Sequence, residues 1–147
     1  MSFFGKLFGE GSDITSLDQQ ESFVGVLYAI IAADGTITQE EGQDFMTMVT
    51  RAKIMQSVTS QQWRNIMAKM SKLMKKGGAE AVVNLAVQNI PTDMRAGVFC
   101  YACELVFADG FADTDEQKIL DIVKRELNIE DDLAYKVAEV VTLKNKL

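Results

Sequence analysis

Ala33-Asp34-Gly35-Thr36-Ile37-Thr38-Gln39-Glu40-Glu41 and Ala108-Asp109-Gly110-Phe111-Ala112-Asp113-Thr114-Asp115-Glu116 are two versions of one phrase. Each begins Ala-Asp-Gly, then sets a capping residue (Thr38 or Asp113), then a glutamate three positions later, and the matched positions share one constant offset. Glycine reaches the left-handed backbone conformation that ends a helix. Thr38 to Glu41 and Asp113 to Glu116 have the capping-box form, in which side chains satisfy the free amides of a new helix. Each phrase is therefore a corner between two helices. The chain carries two related helix-turn-helix units, expected to share a core across a pseudo-twofold axis.

Away from the corners, apolar residues recur at helical spacing almost throughout. Phe23, Leu27, Ile30 and Ile31 mark a first helix over about 17–33, and Phe45, Met48 and Val49 a second over about 39–52. Trp63, Ile66, Met67, Met70, Leu73 and Met74 give a third over 59–76, which Gly77-Gly78 breaks. A short fourth helix follows over 79–88, and Pro91 opens a fifth over 92–108. A sixth over 114–127 and a seventh over 130–144 complete the pattern, with no convincing strand. The expected fold is all-α, a single-domain bundle of about seven helices over 16–147 behind an apolar N-terminal extension over 1–15.

Composition agrees and narrows the function. A chain of 147 residues with 48% apolar side chains has enough material for one core. A single proline suits long helices. Lys and Arg number 15 against 21 Asp and Glu, a net charge of -6. Such a surface repels a phosphate backbone and attracts cations or basic partners, so no nucleic acid is expected. Histidine is absent. That removes the commonest general base and transition-metal ligand, and with them a zinc hydrolase or a Ser-His-Asp enzyme. No apolar run approaches the ~20 residues that cross a bilayer, and residues 1–11 lack the plan of a secretory signal. The expected location is cytoplasmic.

Capping explains much of the two corners, though not Asp34 and Asp109, because a carboxylate is less favourable than a cation at a helix C-terminus. The stretch from Asp34 to Glu41 reads like the second half of a calcium-binding EF-hand loop. Its first and third ligand positions would be Ile30 and Ala32, which coordinate nothing, so a standard EF-hand is rejected. A different oxygen site stays open. Side by side, the corners would bring together Asp34, Glu41, Asp109 and Glu116, with Glu104 one turn before Asp109. Calcium, magnesium and manganese accept such carboxylates, whereas zinc and copper prefer histidine. A Lys or Arg of a partner would suit the same carboxylates.

Paired helix-turn-helix units with Ala-Asp-Gly, and a Glu seven residues after the Asp, resemble the TerB-like tellurite-resistance family over roughly Ser16 to Leu143. The resemblance implies an all-α fold with internal pseudo-symmetry, acidic residues serving as a cation site, and a role in tellurite or general stress resistance. It carries over to Asp34, Gly35, Glu41, Asp109, Gly110 and Glu116. The first unit has Ala29 where the second has Glu104, so the implied site is asymmetric.

Other features have plainer readings. Cys100 and Cys103 have redox spacing, but a reactive thiol wants a helix N-terminus or cationic neighbours. Mid-helix among Val98, Phe99 and Tyr101 they read as small core residues. Phe3, Phe4, Leu7 and Phe8 beside Lys6 would give peripheral membrane or partner contact, or simply pack on the domain. Lys69, Lys72, Lys75 and Lys76 read as a solvated face. The resulting expectation is a non-enzymatic domain that binds a hard divalent cation and a protein partner, without an organic cofactor. The alternatives are a metal-free interaction module and a thiol-dependent oxyanion reductase.

Overall fold

The computed structural model describes residues 14, 16–35, 37–108 and 113–147. Among them are six α-helices, one 3-10 turn and no strand: α1 Gln19–Ile31, α2 Gln39–Val49, a 3-10 turn Lys53–Met55, α3 Ser60–Val87, α4 Thr92–Val106, α5 Thr114–Glu126 and α6 Asp131–Lys144. None is long and apolar enough to cross a membrane. The expectation for residues 1–15 falls outside the described residues, apart from Ile14, which packs against the core.

α1 is the centre of the bundle. A capping box starts it: the Asp18 carboxylate accepts the Glu21 amide at 2.8 Å, and Glu21 Oε1 accepts the Asp18 amide at 3.0 Å. Every residue from Ser22 to Ile30 is buried. A helix apolar on all sides must be covered on all sides, and α3, α4 and α5 cover it. Gly25 permits the closest approach. A Cβ there would meet Met70 Sδ at 3.3 Å and the Ala86 Cβ at 3.5 Å.

That pair of neighbours also fixes the shape of α3. Sixteen residues of straight helix separate their ends by about 24 Å, so Met70 and Ala86 reach one glycine only because the chain folds back between them. It does so at Gly78, whose φ of 81° and ψ of 178° are non-helical. The break expected at Gly77-Gly78 is thus a sharp bend inside one hydrogen-bonded run, and two of the seven expected helices are the arms of α3.

The second half is tied to the first by Arg95 at the start of α4. Its guanidinium donates to the carbonyls of Val87 and Ile90, both at 3.2 Å, and to that of Glu126 at 3.4 Å. One side chain thus binds carbonyls at the ends of α3 and α5 and at Ile90 just beyond α3, the Val87 carbonyl also accepting the Ile90 amide at 3.3 Å. α5 then closes at Asn128, whose φ of 56° is the left-handed conformation that asparagine tolerates. α6 packs chiefly on α4.

Candidate functional site

The two corners meet. α1 ends at Ile31, and the turn through Ala32 is closed by the Gly35 amide donating to the Ala32 carbonyl at 2.9 Å, with Gly35 at a φ of 92°. α2 then starts from Thr38. In the other half, α4 ends at Val106 and α5 starts from Asp113. Between these four helix ends lies a cavity of about 430 Å³. Asp34, Glu41 and Asp44 line it from the first corner, and Asp113 and Glu116 from the second. Ile30, Ile31, Phe45, Met48 and Leu105 supply its apolar wall.

Three of the five carboxylates expected at the site, Asp34, Glu41 and Glu116, are therefore brought to one cavity. Asp109 lies outside the described residues. Glu104 is placed elsewhere: its carboxylate takes Lys144 Nζ at 2.5 Å, and it does not line the cavity. Lys144 is 40 residues away, so spacing along the chain carries no sign of that pair. Two lining acids come in addition. Asp113 shares the cavity while it caps α5, and Asp44 sits one turn beyond Glu41 on α2. Residues three apart on a helix share a face, so the site-facing position of Asp44 was implicit in that of Glu41.

Capping holds several of these carboxylates in place. In the second corner Asp113 Oδ1 accepts the Glu116 amide at 2.7 Å, while Glu116 Oε1 accepts the Asp113 amide at 3.4 Å. In the first, Thr38 Oγ1 accepts the Glu41 amide at 3.1 Å and donates to Glu41 Oε1, also at 3.1 Å. The first corner thus departs from the expected box, since the hydroxyl takes both roles. Each glutamate is anchored by one carboxylate oxygen over its own helix N-terminus, where the dipole favours negative charge.

Hard carboxylate oxygens fit calcium, magnesium or manganese in kind. They stand too far apart to form a closed coordination sphere as placed. No three Asp, Glu or Cys side chains among the described residues are grouped so as to hold a metal ion. The cavity is an acid-lined cleft with an apolar wall, wider than one ion needs.

The thiols lie apart from it. Burial, with the neighbouring Glu104 charge, raises the pKa of Cys100, and burial with the nearby Cys100 pushes Cys103 up to about 12. Both are held as thiols, the unreactive form.

No curated protein and no solved structure matches the chain. A family model described as tellurite resistance protein TerB matches residues 20–137, a span that holds both corners and the cavity between them. The chain therefore belongs to the TerB tellurite-resistance family.

Proposed function

We propose that this domain is a non-enzymatic, cation-responsive module of the tellurite-resistance response, and that the cleft between the two corners is where the cation acts. One observation carries the reading: carboxylates from both halves, Asp34, Glu41 and Asp44 with Asp113 and Glu116, line a single cavity. Confined negative charges repel one another, and a divalent cation between them removes that repulsion. Because the acids are spread around a cleft, an ion must draw them together, with water completing its shell as is usual for magnesium and calcium. Binding would then tie the α1–α2 corner to the α4–α5 corner.

Calorimetric titration with calcium, magnesium and manganese chlorides tests this. The expected result is saturable heat with one of them, lost in Asp34→Asn with Glu116→Gln. Heat unchanged in that double variant would overturn the assignment.

A second reading has an observation of its own. The apolar wall of Ile31, Phe45, Met48 and Leu105 has no use for a hydrated ion, but it suits the stem of a lysine or arginine whose head meets the acids. In that reading the domain is a metal-free interaction module for a basic partner. A melting temperature unmoved by chelator and by added ions would favour it.

A further inference from the structure

The large apolar side chains left exposed among the described residues are Met46, Leu133, Tyr135, Val140, Leu143 and Leu147, and all but Met46 lie on α6 or just beyond it. The inner face of that helix is spoken for, since Val141 is buried and Ala134 and Val137 pack against the core. Its outer face is covered by none of the described residues. Val140 is 63% exposed and Leu143 55%. Leu133 and Val140 are two turns apart and Leu143 follows one turn later, so the three form one stripe.

We propose that this stripe is a self-association surface, on which the α6 helices of two copies pair antiparallel in an isologous dimer. The order of charge along the helix argues for a second copy and sets its direction. Glu130 and Asp132 stand at the beginning, Lys144 and Lys146 at the end, and Lys136 and Glu139 straddle the middle. Centre an antiparallel pair on position 138, and Leu133 of one copy faces Leu143 of the other. In the same register Asp132 faces Lys144, Glu130 faces Lys146, and Lys136 lies one position from Glu139 of the other copy, each contact occurring twice by symmetry. Lys144 already holds Glu104 of its own chain and would bridge the two acids. A parallel pair would set like charges against like. From 130 to 146 the chain carries four acidic and three basic side chains, so two copies meet there with little of the repulsion that a net charge of -6 imposes elsewhere.

Sedimentation of the full chain over a concentration series tests the proposal. The expected mass rises from 16.3 kDa toward twice that value. Val140→Asp, at an exposed position, leaves the helical circular dichroism intact and moves the dimer midpoint to at least about tenfold higher concentration. Lys136→Glu and Glu139→Lys each weaken the dimer, and the two together restore it, because the pair is then reversed rather than broken. A monomer at every concentration up to about 1 mM would overturn the proposal, whether or not another part of the chain covers the stripe. So would a dimer indifferent to Val140→Asp.

Discussion

Two side chains on α1 show how much of the fold's stability rests on single groups. Ser22 is completely buried, and among the described residues its hydroxyl meets no hydrogen-bond partner. An unsatisfied buried hydroxyl keeps its desolvation cost without compensation. Ser22→Ala should therefore raise the unfolding free energy by about 1 kcal/mol and the melting temperature by about 2–4 °C. Thermal denaturation checks it, and a fall would mean that the hydroxyl has a role not yet seen. Glu21 is the opposite case. Burial pushes its carboxyl up, but the Asp18 amide and Lys69, 2.7 Å away, outweigh burial and leave the pKa below its ordinary 4.5. A depressed folded pKa gives stability that is present in full above the unfolded value and is lost as pH falls through the folded one. Denaturant unfolding should find Glu21→Gln less stable than the native chain near neutral pH, with the two curves converging below pH 4.5. A gap that persists in acid would point to lost packing instead of lost charge.

Among the elements, the bent α3 and the straight α4 make opposite demands on glycine. Gly78 has open space around it, yet its φ of 81° and ψ of 178° fall where a side chain is strained. Gly78→Ala should cost about 1–3 kcal/mol from the backbone alone. Gly97, exposed inside α4 with nothing within 4 Å, should gain about 0.5–1 kcal/mol as alanine. Chemical denaturation of both variants checks the pair, and equal effects would refute the assignment of the bend to Gly78. This is also the scale at which the sequence was most readable. Gly77-Gly78 announced an interruption, Pro91 a helix start, and Thr38, Asp113 and Glu116 the caps, because each acts through backbone geometry within a few residues. How far the chain turns at Gly78 was not legible, since that depends on Met70 and Ala86 both seeking the space beside Gly25. The Asp18 cap was as local as the others, yet the apolar start of α1 drew the boundary toward Leu17 instead.

For the molecule as a whole, the duplicated Ala-Asp-Gly phrase pointed to two corners, and the fold brings both to one cavity. Net charge and repeat foretold carboxylates there, but not their company. Asp44 and the apolar wall arrive because α2 presents Phe45 and Met48 to the same space, and Glu104 is diverted to Lys144 by the docking of α6 on α4. Such pairings belong to the tertiary arrangement, which no local pattern records. Under the proposed function one cation answers to both corners. Paramagnetic broadening by manganese tests it most directly, with amide resonances followed around Asp34 to Asp44 and around Asp113 to Glu116. Both groups should broaden together at one point of the titration, and Asp34→Asn should abolish the effect at Glu116 as well as locally. Broadening confined to one corner, or broadening at Glu116 that survives Asp34→Asn, would contradict it.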